Sequence, residues 1–311
     1  MIDTLNLWID RAEAPNPFAV VPYLTDVEEA HSDKWGHRSR GRIGDYRVSC
    51  GESGISLQGS LAKFFLPSNL YTLTRASTGE ALEKLSDLLH IDLFSTARIT
   101  RIDVSTILPT TRPPADYYRF MGSKPYFKRL QTTPDTLYYT TSKEALCLYD
   151  KQKEARAKGA IVPVYLEGHN LMRYEVRYLN RIGKQLNGGA PLYAGDLIHE
   201  DMYYSLIQRW GNEFQTIHKL QDMNTLSDTL PTTPREAKEE LFKRLLAKEG
   251  VEAVDAFISD LKARKAFNDP KYYSRLKADL NKTIQGRGQA GESEMMKELE
   301  CLIDDVVKYA R

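Results

Sequence analysis

The chain has 311 residues, 41% of them apolar, and its 43 Lys and Arg nearly balance its 42 Asp and Glu, leaving a formal charge of +1. This is a globular composition, enough for one large or two medium domains. It excludes a low-complexity or repeat chain, and no apolar run approaches the ~18 residues of a membrane span. The first residues carry neither a basic flank nor a small-residue cleavage site, so no signal peptide is expected. Cys50, Cys147 and Cys301 are too scattered for a disulfide framework or a cysteine metal cluster, which fits a reducing cytoplasm.

In chain order, Met1 to Asp10 reads as a strand. Gly54 to Phe65 reads as another, after a Cys50-Gly51-Glu52-Ser53-Gly54 turn. Ser77 to His90 predicts a helix capped by Ser77 or Thr78, with Leu82, Leu85, Leu88 and Leu89 as its apolar stripe. Arg98 to Leu108 is a strand, and Pro113 to Met121 is a short helix begun by proline. Thr136 to Thr141 and Ala145 to Tyr149 are paired strands. Asp150 to Lys158 is a charged helix ended by Gly159, and His169 to Asn180 is a last strand. The expected fold is α+β, a central antiparallel sheet with helices on one face. Asn187-Gly188-Gly189-Ala190-Pro191 is a break. Helices are expected beyond it over 197–222, 234–249, 251–266, 270–284 and 291–310, with Thr233-Pro234-Arg235-Glu236 as a helix start and Gly250 as a helix end. The boundary separates a domain carrying the chemistry, 1–189, from an α-helical C-terminal accessory domain, 190–311.

Charge is unevenly spread. Residues 98–184 hold 16 Lys and Arg against 8 Asp and Glu, a net of +8, whereas residues 1–97 and 185–311 are net −4 and −3. A central basic stretch is either a phosphate-facing surface or a solvated face with chance bias.

Alternation puts Ile102 and Val104 on one face of their strand, and Arg101, Asp103 and Ser105 on the other. In the last strand Met172, Tyr174, Val176 and Tyr178 oppose Arg173, Glu175 and Arg177. Two carboxylates flanked by arginines on an open sheet face suit a hard cation, Mg²⁺ or Mn²⁺, and phosphate oxygens. Cross-strand ion pairs on a solvated face would produce the same pattern. Tyr149 ends one strand just before a helix start, where anions are favoured. Its phenol needs a cation nearby to act as a nucleophile, and Lys151 or a bound metal would supply one. His169 shares a face with Arg173 and Glu175 if the last strand starts there, and is the histidine candidate for a ligand.

Five segments occur in order: Met1-Ile2-Asp3, Gly59-Ser60-Leu61-Ala62-Lys63-Phe64, Thr100-Arg101-Ile102-Asp103, Leu148-Tyr149-Asp150-Lys151-Gln152-Lys153-Glu154 and Leu171-Met172-Arg173-Tyr174-Glu175-Val176-Arg177. This set, over roughly residues 1–185, resembles the gene II/X replication initiators of filamentous phages and related plasmids. It is also similar to relaxases with the same Thr-Arg-Ile-Asp, Tyr-x-Lys-x-x-Glu and Arg-Tyr-Glu segments. The resemblance implies a rolling-circle replication initiator in the cytoplasm of a bacterial host cell. Such an enzyme nicks and rejoins single-stranded or extruded origin DNA through a phosphotyrosine link. It implies Tyr149 as nucleophile, Asp103 and Glu175 as ligands of Mg²⁺ or Mn²⁺, Lys151 and Glu154 as supporting residues, and Lys63 as a DNA contact. Arg101, Arg173 and Arg177 are the further expected contacts to DNA. The histidine–hydrophobe–histidine metal motif of the wider nicking superfamily is absent. Expected partners include a host helicase and polymerase and a second copy of the chain, but no membrane. Tyr138 and Tyr139, on the neighbouring strand, are outside candidates for a second nucleophile. A conjugative or mobilisation relaxase of the same chemistry, or a non-catalytic module that binds single strands, would account for the same segments.

Overall fold

The computed structural model describes residues 1–32, 36–220, 233–284 and 293–310. Among these residues ten strands form one antiparallel sheet. The first half of the chain gives β1 (Ile2–Asp10), β2 (Thr25–Ser32), β3 (Gly36–Ile43), β4 (Tyr46–Gly51) and β5 (Gly54–Ser60). The second gives β6 (Ala97–Thr110), β7 (Lys128–Thr133), β8 (Thr136–Thr140), β9 (Glu144–Asp150) and β10 (Asn170–Tyr178). Their order is β2-β3-β4-β5-β1-β6-β10-β9-β8-β7. Thus β1 and β6 pair at the centre, and each is flanked by four later strands that fold outward and return.

The helices are α1 (Leu61–Phe65), α2 (Arg75–Leu89), α3 (Leu93–Thr96), α4 (Pro114–Tyr118), α5 (Lys151–Ala157), α6 (Ile182–Leu186), α7 (Glu200–Gln215), α8 (Pro234–Ala263), α9 (Pro270–Ile284) and α10 (Glu294–Tyr309). The expected strand over 54–65 is two elements, because Ser60 ends β5 and caps α1, its Oγ accepting from the Lys63 N–H. The cap of α2 is Thr74, in a reciprocal capping box with Ser77, rather than Ser77 or Thr78 themselves. At α8 the capping box of Thr233 and Glu236 forms as expected, but Gly250 does not end the helix. A mid-helix glycine costs about 1 kcal/mol, and the burial of Val254 and Ile258 against Tyr273 of α9 outweighs it. Residues 221–222 and 291–292, expected to be helical, lie outside the described residues.

One face of the sheet is apolar. Leu5, Leu7, Ile102, Val104, Leu146, Leu148, Tyr174 and Val176 are buried there beneath α2, α7 and α10. Trp210 of α7 fixes the seam: its ring lies 4.8 Å from that of Tyr174, its indole N–H donates to the Tyr174 carbonyl, and the Tyr174 hydroxyl donates back to the Trp210 carbonyl. Burying ~150–250 Å² per aromatic ring at ~25 cal/mol per Å² favours each ring by about 4–6 kcal/mol before entropy. Gly188 and Gly189 turn the chain at the expected break with positive φ, but the core continues through it. Leu192, Leu197, Trp210, Phe214, Leu299 and Ile303 belong to the same apolar cluster as the sheet. A separate cluster joins α8 and α9 through Val254, Ile258 and Tyr273.

The opposite face carries the polar residues of the strands. At one end α5 and a short turn over Val164–Leu166 cover it, with Ala155, Leu166, Leu171, Ile107 and Leu70 in a small apolar cluster. At the other end β1 and β5 approach so closely that a Cβ on Gly54 (φ +145°) would stand 2.1 Å from the Ile9 carbonyl oxygen, a backbone that glycine alone accepts.

Candidate active site

Strand register brings the polar residues of β10 to their partners. Arg177 is opposite Asp103 of β6 and Ala145 of β9, Glu175 is opposite Ser105 and Cys147, and Arg173 is opposite Tyr149. Directly opposed residues share a face, so Arg101, Asp103, Tyr149, Arg173, Glu175 and Arg177 meet on the polar side, as their alternation predicts. The Asp150 side chain accepts from the Lys153 N–H and caps α5, so Tyr149 is held at the last strand turn before a fixed helix N-terminus.

Each carboxylate there is engaged. Glu175 Oε1 accepts from the Tyr149 hydroxyl at 3.0 Å and from Arg173 Nε at 2.9 Å, and its Oε2 accepts from Arg177 Nε and Nη2 at 2.9 and 2.6 Å. Asp103 receives a two-pronged contact from Arg101 at 2.9 and 2.7 Å. Arg177 Nε lies 4.0 Å from Asp103 Oδ2 and so links the two acids. Arg173 also donates to Asp3 of β1 at 2.5 Å and to Ser105 at 2.7 Å, and Ser60 donates to the other Asp3 oxygen at 2.5 Å. Fork-shaped guanidinium groups alternate with carboxylates across β1, β6 and β10, a pairing that makes burial of this many charges tolerable.

The face is less open than its polarity suggests. Asp103, Arg173 and Glu175 are 2%, 3% and 4% exposed, whereas the Arg101 and Arg177 side chains retain 33% and 25%. Exposed guanidinium edges therefore present a positive surface above buried acids. Burial, followed by the charge of Glu175, pushes the Tyr149 phenol well above its ordinary range, while Arg173 opposes the shift. Burial also raises the Asp103 carboxyl against the pull of Arg101. Burial acts upward on Asp3 too, but Arg173, Ser60 and Lys151 outweigh it and hold that carboxyl below its ordinary value.

Lys151 is buried beside this network. Its ammonium contacts Glu154, lies 2.9 Å from Asn69 Oδ1 and sits 5.8 Å from the centre of the Tyr149 ring. Burial and the nearby Arg173 lower its pKa. Glu154 is shared with Lys158, and burial acts upward on its carboxyl, but the two lysines together lower it. Lys63 is exposed on α1 and shares a cavity of about 240 Å³ with Lys151, Glu154 and Asn69. His169 is not brought in. It is exposed in the bend before β10, six residues from Glu175, or about 20 Å along an extended strand. Tyr138 of β8 faces the site, its ring 5.9 Å from the Arg177 guanidinium. Tyr139 points into the core, where its hydroxyl donates to the Gly122 carbonyl.

Asp3, Ser60 and Asn69 also belong to the site, without a role that their sequence context predicts. Asp3 had a signal: it is a carboxylate next to Met1 and Ile2 at the start of a strand that also carries Leu5, Leu7 and Ile9. Asn69 comes from a loop with no pattern of its own.

Asp103 and Glu175 are the carboxylates that could hold a divalent cation, although all four of their oxygens accept from guanidinium or hydroxyl groups. Among the described residues no group of three His, Cys, Asp or Glu side chains converges. A two-carboxylate set suits Mg²⁺, which takes one or two protein carboxylates and completes its shell with phosphate and water. A cation there would have to compete with Arg101 and Arg177 for the same oxygens.

A family model for the N-terminal part of the gene II replication-associated protein matches residues 1–210. The chain belongs to this family. The segment matched to the gene II protein contains all ten strands and every residue of the polar network, and it ends within α7. Membership in the gene II family supports a role in initiating phage-type replication by the rolling-circle route, and with it the binding of origin DNA. No curated protein matches the chain. No described helix is long and apolar enough to cross a membrane.

Proposed function

We propose that the chain nicks a DNA strand at a replication origin and later rejoins it, with Tyr149 as the nucleophile. The observation that carries this reading is the Tyr149 hydroxyl donating to Glu175 Oε1 beside Arg173. A phenol, a proton acceptor and a buried guanidinium able to offset a phenolate are thereby held together on rigid strands.

In the proposed step the Tyr149 oxygen attacks phosphorus and the bond to the 3′ oxygen breaks. The products are a 5′-phosphotyrosine and a free 3′-OH. Glu175 takes the phenol proton, the leaving 3′ oxygen takes one from water, and Glu175 returns its own to solvent, so the step is neutral in protons. Raised as it is, the phenol is a poor nucleophile until its charge is compensated. Arg173 stabilises the developing phenolate and Lys151 flanks the ring. Arg101 and Arg177, the partly exposed pair, bind the phosphate oxygens, and Lys63 contacts the strand at the rim. Asp103 and Glu175 would hold Mg²⁺ or Mn²⁺, which when bound supplies charge to a non-bridging phosphate oxygen. Because the covalent link keeps the phosphodiester energy, a later 3′-OH can displace Tyr149 without a nucleotide cofactor. The free 3′-OH primes a host polymerase, a host helicase opens the duplex, and residues 190–311 act as the accessory part.

The test is incubation of the protein with a single-stranded library and Mn²⁺ or Mg²⁺, followed by denaturing gel and mapping of the DNA-bound peptide. The peptide should contain Tyr149, and Tyr149→Phe should bind DNA without forming the adduct. An adduct that persists in Tyr149→Phe removes this residue from the mechanism.

A further inference from the structure

The polar face does not end at the tyrosine site. Arg42 of β3 is opposite Arg47 of β4, Arg47 is opposite Gln58 of β5, Gln58 is opposite Asn6 of β1, and Asn6 is opposite Arg101 of β6. Opposed residues share a face, so these five form one row running from the exposed half of the sheet to the guanidinium that holds Asp103. Arg42, Arg47 and Arg40 are exposed. With Arg38, Trp8 and Gln58 they line a shallow trough of about 690 Å³. Arg42 faces Arg47 directly, and like charges in that position destabilise a sheet unless an anion lies between them. Neither they nor Arg40 makes an ion pair among the described residues. Asp26 and Glu28 lie at the far wall, Glu28 opposite Arg40, and leave the lining with a surplus of cations.

We propose that this trough is a track for single-stranded DNA that continues from the strand cut at Tyr149. The inference rests on that reading of Tyr149. Four inter-strand steps of ~4.8 Å separate Arg42 from Arg101, about 19 Å, or five to six nucleotides at ~3.4 Å each. Arginines spaced along a groove with an aromatic ring among them are what a single strand needs: charge for its backbone and a surface for a base. Gln58, Asn6 and the serines of β4 and β5 add small polar groups without reaching far enough to read a duplex groove.

The experiment uses the full chain carrying Tyr149→Phe and a fluorescent oligothymidine of about 25 nucleotides, with affinity read by anisotropy over a salt series. Replacing Arg40, Arg42 and Arg47 together by Ala should lower the slope of log affinity against log salt by about 2, roughly 0.7 for each lost contact to a single strand. Replacing the same three by Lys should restore it, which separates lost charge from lost folding. An Ala variant whose slope and affinity match the parent overturns the track. So does a slope change seen with a duplex of the same length and absent with oligothymidine. Adduct formation is scored separately with Tyr149 intact on the single-stranded library. Loss of that adduct would sink the cutting reaction while leaving the binding result to stand or fall by itself.

Discussion

The Tyr149 hydroxyl donates to the Glu175 carboxylate at 3.0 Å, which places an acceptor for the phenol proton directly against the phenol. Glu175 is also the counter-charge for Arg173 and Arg177. Glu175→Gln should therefore act twice. It leaves two largely buried guanidinium groups undercompensated, at about 3–5 kcal/mol of stability, and it removes the proton acceptor, slowing adduct formation about 100-fold or more. Thermal melting and a timed adduct assay measure the two effects. A variant that forms the adduct at the parental rate assigns the proton to another group.

The cation is expected to bind between Asp103 and Glu175. In the Tyr149→Phe protein with an oligonucleotide bound, free Mn²⁺ measured by electron paramagnetic resonance should fall as sites fill. Asp103→Asn should weaken that binding about tenfold or more, since it takes away one of two charged ligands. Unchanged Mn²⁺ affinity would place the ion elsewhere.

Glu144, at the start of β9, has a buried oxygen without a hydrogen-bond partner among the described residues. Burial, then the charge of Glu213, pushes its carboxyl up to about 7, whereas in the unfolded chain it titrates near ~4.3. Between these values the folded state keeps a proton that the unfolded state has lost, so stability falls as pH rises through that window and levels off above it. Glu144→Gln should match the parent near pH 4 and exceed it by about 1–2 kcal/mol near pH 8, after allowance for solvent screening. Urea unfolding at both pH values decides it: parallel behaviour of the two proteins would show that Glu144 ionises normally.

Gly54→Ala should cost about 3 kcal/mol or more, because the added methyl would meet the Ile9 carbonyl at 2.1 Å on a backbone with φ +145°. A melting temperature equal to the parent's would contradict the close approach of β1 and β5.

The strands that carry the chemistry were readable because they alternate strongly. In β10, Met172, Tyr174, Val176 and Tyr178 are apolar and the residues between them are charged, and both faces came out as expected. The trough strand β3 alternates just as regularly, but between Arg38, Arg40, Arg42 and the small Ser39 and Gly41. With few apolar residues to mark it, its period of two carries no sign of a buried face. Its arginines were hidden a second time by the acidic residues around them, which made residues 1–97 net negative. Ser60 shows a different limit. Its role as cap and as donor to Asp3 depends on where β5 stops, and the local pattern continued smoothly into Phe65. Asp3 and Arg173, 170 positions apart in the chain, meet only because β1 and β10 flank the same central strand.

The strand order has a last consequence for the shape of any path across the sheet. Neighbouring strands are rotated by roughly 20–25°, and six steps separate β9, with Tyr149, from β3, with Arg40 and Arg42. The face therefore turns through more than a right angle between the tyrosine and the far end of the trough. A polymer held at both places must follow a saddle, winding as it goes. A stiff double helix, whose persistence length is ~150 base pairs, resists such a course over so short a distance; a single strand with rotatable backbone bonds follows it freely. Propeller curvature thus favours a flexible strand over a rigid one before any base or phosphate is touched.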